Sequence, residues 1–300
     1  MSPWNWVADY FAELSQTFGA GWNRFWYTPR SAKTLSILRI ATGVLTLLYC
    51  LSHAWDLTRF FSEIGVLPPD AGQRIAGPYH PSLLYSLTSP GSLWLFYGLG
   101  LAAVSAWTAG WMTRISGVLS LATVLSLVHR APMLTGPWEP VLTMLLAYLT
   151  LAPCGAFYSL DARRNADHKP QDSILANVCQ RLIQVHLSGL LLMMALNKLA
   201  GEVWWTGDAV WWLMAERESR IVDLTFLGQS PYFVQFLNHA VVGLELSLAF
   251  LLWVRLARPL LWAVAAMLWT LMALATGLVG FYAALFAATW AFAEWKEPQA

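Results

Sequence analysis

The sequence predicts an all-α, polytopic bundle of membrane-crossing helices, and three observations carry that reading. Hydrophobic residues make up 57% of the chain and charged residues only 12%, against roughly 25% charged in an ordinary soluble globule. About eight apolar runs each approach the roughly 20 residues that a helix needs to cross a bilayer's hydrocarbon core. The 18 tryptophans and 14 phenylalanines suit a chain whose large rings settle at membrane interfaces. Lysine plus arginine number 18 against 17 aspartate plus glutamate, a net charge of +1. Such a balance makes no field that would gather nucleic acid, so that class of partner is not expected.

Residues 1–30 read as an interfacial amphipathic segment. They lack the basic start, apolar core and small-residue cleavage site of a signal peptide, and they place Val7, Tyr10, Phe11, Leu14 and Phe18 at helical spacing. Trp22, Trp26 and Tyr27 then precede Arg30 and Lys33, an aromatic and basic collar that anchors the start of a span. Residues 31–296 read as a single transmembrane domain, without visible repeats or a flexible linker. The expected spans are 34–57, 90–112, 115–133, 140–158, 177–199, 231–254, 259–276 and 278–295. The stretch from 259 to 295 is long for one span and tight for two. Gly277 and Gly280 supply the turn between them, and the alternative is seven spans with the end folded back.

The connections set an expected orientation. With the amino terminus in the cytoplasm, the inner face receives Arg24, Arg30, Lys33, Arg114, Arg163, Arg164, Lys169, Arg255, Arg258 and Lys296. The outer face receives only Arg59, Arg74, Arg130, Arg217 and Arg220, so the excess of positive charge lies inside. Both termini are expected in the cytoplasm and the protein in the plasma (inner) membrane, its immediate partner the lipid bilayer.

Two outer connections exceed what a turn needs. The first, 58–89, holds Phe60 to Pro68. The second, 200–230, opens Gly201-Glu202-Val203-Trp204-Trp205-Thr206-Gly207-Asp208 and continues through a helix-like piece around Trp211 and Trp212. Long ordered loops on one face form lids or binding surfaces, although tryptophans there also serve as an interfacial belt. Lys198 ends the apolar run 187–196 directly before the second loop. Facing outward it snorkels to the headgroups; facing inward, in a dehydrated pocket, it is able to act as a base.

Arg39, Arg181 and Glu245 lie within expected spans, where ionisable groups find partners inside the bundle. They are expected to form a structural ion pair, Glu245 with Arg39 or Arg181. His53, His80, His129, His168, His186 and His239 show no metal-ligand spacing, and no metal is expected. His53 and Asp56 share one helical face. Cys50, Cys154 and Cys179 carry no C-x-x-C pattern and read as small buried hydrophobes.

The ordered set of short motifs resembles the HTTM family, the membrane domain shared with vitamin K-dependent gamma-carboxylase. The motifs are Leu38-Arg39-Ile40, Asp56 followed by Phe60 and Gly65-Val66-Leu67-Pro68, Tyr158-Ser159-Leu160-Asp161-Ala162, Asn197-Lys198-Leu199, and Trp204-Trp205-Thr206-Gly207-Asp208-Ala209. The resemblance covers roughly residues 28–295. It implies that Lys198 is the catalytic base toward a reduced quinone, in a site that opens to the non-cytoplasmic face. His53, Asp56, Arg130, Trp138, Trp204, Trp205 and Asp208 are the expected substrate-binding residues around it. Two departures stand out: Gly136-Pro137-Trp138-Glu139-Pro140 holds no histidine where the carboxylase has one, and Trp269 stands near its later membrane histidine. The carboxylase's large soluble portion has no counterpart, so glutamate carboxylation is not expected. Three function classes remain open: a membrane enzyme acting on a lipid-phase quinol, a non-catalytic factor for export, maturation or assembly of a partner, and a transporter. The last lacks the paired broken helices that such proteins use.

Overall fold

The computed structural model describes residues 5–164, 170–218 and 220–294, and the regular elements among them are helices. An isolated antiparallel bridge between Arg30 and Ser173 is the one pairing of β type among the described residues. Asn165, His168, Lys169, Trp295 and Lys296 lie outside them.

The amino-terminal helix α1 (Asn5–Tyr27) carries the expected amphipathic stripe, with Trp6, Tyr10, Leu14, Phe18 and Trp22 repeating every four residues and all exposed. Its far end is tied down. Asn177 donates to the carbonyls of Phe25 and Trp26, each at 2.8 Å, which satisfies two of the acceptors that a helix terminus leaves open.

The bundle starts with α2 (Lys33–Ser52). Two short helices, α3 (Leu57–Phe61) and α4 (Pro69–Ala76), occupy the first long connection. There follow α5 (Pro90–Ala109), α6 (Thr113–Arg130), α7 (Trp138–Leu151) and the one-turn α8 (Leu160–Arg164). The longest helix, α9 (Ile174–Ala200), gives way to α10 (Glu202–Thr206) and α11 (Ala209–Ala215) in the second long connection. The last three are α12 (Pro231–Leu251), α13 (Arg258–Thr276) and α14 (Val279–Thr289).

Five of these, α2, α5, α9, α12 and α13, are long and apolar enough to cross a membrane, which makes the chain an integral membrane protein. The expectation of about eight spans meets five helices of that length. Each of the eight segments contains a helix, but α7 has 14 residues and reaches only about 21 Å at 1.5 Å per residue, and α14 is shorter again. The expected turn in the last segment is present: α13 ends at Thr276, and Gly277 adopts a left-handed φ of 73° before α14. Gly280 has a different role. It sits inside α14, and a β-carbon there would collide with the indole ring of Trp138, so its missing side chain lets α7 and α14 meet.

The turns between helices divide the molecule into two ends. One, the loop end, carries both long connections. The other, the basic end, carries Arg30, Arg114, Arg163, Arg164, Arg255 and Arg258. Two connections lock each other at the basic end. Asp161 accepts from the backbone N–H of Met112 at 2.9 Å and of Thr113 at 2.8 Å, and from the Thr113 hydroxyl at 2.6 Å. It thereby caps α6 from a distant part of the chain. Partial burial works against its charge, but the Thr113 and Met112 donors outweigh it and hold the Asp161 carboxyl below its usual range. Met112 and Tyr158 beside this lock take left-handed backbone angles, φ 47° and 48°, a conformation that side-chain-bearing residues hold only when neighbours enforce it.

Candidate functional site

The centre of the site is set by the pairing of α9 with α12. They run antiparallel, since Lys198 faces Glu245 while Ser188, earlier on α9, accepts from Trp253, just past α12, at 3.0 Å; Asn238 of α12 donates to the Trp204 carbonyl of α10 at 2.6 Å. Lys198 stands in the last turn of α9. The Lys198 ammonium donates to both carboxylate oxygens, at 2.7 and 2.8 Å.

The Glu245 side chain is 2% exposed and that of Lys198 19%, so the remaining access to the pair lies on the lysine. The Lys198 nitrogen also sits 5.4 Å from the centre of the Trp204 ring, within cation–π range. Glu245 is roughly 21 Å from the loop end of α12 at 1.5 Å per residue. A charge pair at such depth in an apolar bundle is retained only where its groups satisfy one another.

Asn238 holds the cover over this pair. It lies two helical turns from Glu245 on the same face of α12 and is fully buried. Besides its bond to Trp204, its side-chain oxygen accepts from the Val210 N–H at 3.3 Å. One amide thus clamps α10 and α11 against α12. Gly201 breaks α9 in an extended conformation, and Gly207, with φ 89°, turns the chain between α10 and α11. The tryptophan-bearing segment can therefore fold back instead of continuing outward. Tyr282 lies on α14. With Trp269, Thr270 and Phe286 it lines a cavity of about 270 Å³ between α13 and α14.

The structure corrects the expected ion pair. Glu245 meets neither Arg39 nor Arg181, because the α9–α12 alignment puts Lys198 at its level and leaves Arg181 roughly 25 Å back along α9. Arg39 is buried near the basic end and donates to the Tyr158 carbonyl at 2.6 Å. Arg181 stacks at 4.2 Å from the Phe25 ring centre and donates to Gln184 at 2.9 Å.

Of the expected substrate-binding residues, only Trp204 touches Lys198. Trp205 donates its indole N–H to the Leu199 carbonyl and turns its ring outward. Asp208 is exposed beside α11, and Asp56 is exposed and pairs with Arg59 at 3.5 Å. His53 and Trp138 belong to a second group around Tyr49, with ring centres 4.7 and 5.5 Å from it. Arg130 forms a third: buried, it donates to the Leu67 carbonyl at 2.8 Å and lies 5.6 Å from the Tyr85 ring centre. The physical reason for this division is that a loop-end position fixes height in the bundle but not which helix stands next to which. Trp138 also packs against Gly280 of α14.

Asn238 is a site residue that sequence reasoning missed. It was legible as a polar residue two helical turns before Glu245 on one face of α12, although Gln235, His239 and Ser247 dilute that signal. Among the described residues no cluster of histidine, cysteine and carboxylate groups could hold a metal ion, and the three cysteines are free and buried. Compared with family models, curated proteins and solved structures, the chain matches none.

Proposed function

We propose that this is an HTTM-like membrane enzyme in which Lys198 and Glu245 together take a proton from a lipid-phase, quinol-like substrate. The observation that carries the reading is the pair: an amine and a carboxylate in double contact beneath a tryptophan cover, its residual access on the amine. Lys198 becomes a base by passing one proton to Glu245. The amine then accepts the proton of a substrate hydroxyl, leaving an ammonium beside a neutral carboxyl and the deprotonated oxygen against the ammonium. Trp204 supplies an apolar wall, and Trp138, His53, Asp56, Arg130, Trp205 and Asp208 remain on the loop-end side from which substrate would enter.

On this reading the chain crosses the membrane about eight times. The 18-residue α6, α7 and α14 with its continuation to Phe292 are the three shorter passes, and α1 lies on the membrane surface. The arginines of the basic end support cytoplasmic termini in a plasma (inner) membrane. Cysteines introduced at the exposed positions Glu63 and Thr206 should then react with an impermeant thiol reagent on intact cells, while one at Arg164 should react only after permeabilisation. Labelling of Arg164→Cys from outside overturns the orientation.

A second reading, a non-catalytic factor in export, maturation or assembly of a partner, is favoured by the Asn238 clamp. The same contacts that cover a substrate site also pin a loop. The separating experiment is complementation of a gene deletion. Arginine keeps the charge at position 198 but does not deprotonate. Lys198→Arg and Lys198→Ala should both fail at normal protein level if the lysine is a base. A fully functional Lys198→Arg protein ends the catalytic reading and leaves the loop anchor.

A further inference from the structure

At the basic end, a cavity of about 260 Å³ opens between the end of α1, the first turns of α9 and α13, and the chain around Glu294. A single water takes roughly 30 Å³ of liquid, so the space accommodates a polar group of many atoms. Arg30, Arg181, Arg255 and Arg258 line it, with Glu294 as the carboxylate among the lining residues. Among the described residues, four positive charges thus face one negative charge.

The hydrogen bonds make the imbalance local. Glu294 is shared by Arg255, at 2.9 Å, and Arg258, at 3.2 Å. Arg258 further donates to the Leu252 carbonyl at 2.8 Å. Arg181 lies over the Phe25 ring, 4.2 Å from its centre, and 5.7 Å from that of the adjoining Trp253. One of its terminal nitrogens is bonded to Gln184, while its Nε is buried without a partner among the described residues. Gln180 and Gln184 both give their amide N–H groups to the Ala291 carbonyl, at 2.7 and 2.8 Å, which makes the cavity wall rigid. An arginine fixed by stacking, with part of its donor fork unused, is preorganised for an oxyanion. Like charges gathered in a partly dehydrated space also need a counter-charge.

We propose that this cavity binds the phosphodiester headgroup of an anionic phospholipid. A lipid fits better than a soluble anion because of what surrounds the mouth. Helix α1, with its exposed aromatic stripe, ends at Phe25 and Tyr27 beside Arg30, which sets the cavity at headgroup level if α1 lies on the membrane. Basic pockets between helices at that level hold anionic headgroups. The inference does not depend on whether Lys198 is a base.

The test uses the full chain in neutral detergent, with phosphatidylglycerol, phosphatidylcholine and inorganic phosphate as separate probes, and reads bound lipid by native mass spectrometry. Wild type should retain phosphatidylglycerol in preference to phosphatidylcholine, and a large excess of inorganic phosphate should not displace it. Arg181→Gln should weaken phosphatidylglycerol binding about tenfold, the loss expected for one charge-assisted contact. Arg30→Gln, outside any helix, should do the same if Arg181→Gln folds poorly. Arg163→Gln, elsewhere on the basic end, should change nothing.

Equal retention of the two lipids overturns the proposal, as does an equal loss in Arg163→Gln, which would mean a diffuse charge effect. Displacement by inorganic phosphate makes the site one for a soluble anion and overturns the lipid assignment. Binding that emerges only in Glu297→Gln would show that the chain's own carboxylate fills the cavity, and the proposal falls.

Discussion

The Lys198–Glu245 centre and the arginine cavity are both polar inclusions in an apolar bundle, yet they are built on opposite principles. The first is neutral and closed: one cation meets one anion, and two hydrogen bonds join them. The second carries an excess of positive charge, with Arg181 held over the Phe25 ring beside Trp253 and part of its fork unused. A neutral pair is complete without a ligand and holds the fold together by itself. A charge excess is incomplete without one. Removing a charge should therefore hurt stability at the first site and change ligand binding, more than folding, at the second.

The largest expected effect breaks the closed pair. Glu245→Gln leaves the half-buried Lys198 without its counter-charge, and since losing one partner of a fully buried pair costs about 3 to 5 kcal/mol, the loss here should approach the lower part of that range. Folded yield and thermal stability in detergent should fall sharply. Replacing both partners, as Lys198→Met with Glu245→Leu, should recover most of that stability, because a well-packed apolar pair is often as stable as an ionic one. The comparison sharpens if the double variant is stable and still fails to complement a deletion, since the charges then serve chemistry. A Glu245→Gln protein as stable as wild type contradicts the buried pairing.

Next in size is the clamp. Asn238→Ala removes two hydrogen bonds and leaves the Val210 N–H and the Trp204 carbonyl without them. Orphaning buried polar groups costs about 1 to 3 kcal/mol each. Because the loss is confined to the attachment of α10 and α11, hydrogen exchange should accelerate over residues 202–215 well before the rest of the bundle. Uniform acceleration across all helices would show that the segment is part of the cooperative core and not a separable cover.

These effects also mark what the sequence could and could not reveal. The helical bundle was legible because apolar runs of span length are separated by Gly, Pro and charged residues, and the Gly277 turn followed from the same signals. Lys198 was legible as a lone cation at the end of an apolar run. Its partner was not. Glu245 could be placed by depth along α12, but depth counted from the helix ends points to Arg39 and Arg181 and away from Lys198. Only the neighbour relation between α9 and α12, which no local pattern encodes, selects Lys198. Arg39 and Arg130 misled for a related reason: each is buried against a backbone carbonyl, a partner every residue offers and no sequence motif announces. The arginine cavity draws on α1, α9, α13 and the chain end, segments that come together only in the folded bundle.

The smallest expected effect concerns the Asp161 lock, elsewhere on the basic end, which needs no ligand. Asp161 accepts three hydrogen bonds from Met112 and Thr113, and its carboxyl is held below the usual range: burial pushes it up, but the Thr113 and Met112 donors prevail. A depressed folded value means that the unfolded chain takes up the proton first as the solution is acidified. The stabilisation is therefore complete above about pH 4, near the unfolded aspartate value, and is lost as pH falls from there through the lower folded value. Thermal stability in detergent should decline over that interval in wild type. In Asp161→Asn, which cannot titrate and meets the same donors with one amide oxygen, the decline should be shallower from a lower starting point. The strained angles at Met112 and Tyr158 flank this lock, so the variant should also loosen the 110–113 and 158–161 connections in hydrogen exchange. If the two proteins lose stability in parallel between pH 4 and pH 3, the acid sensitivity belongs to other carboxylates and Asp161 is only a geometric cap.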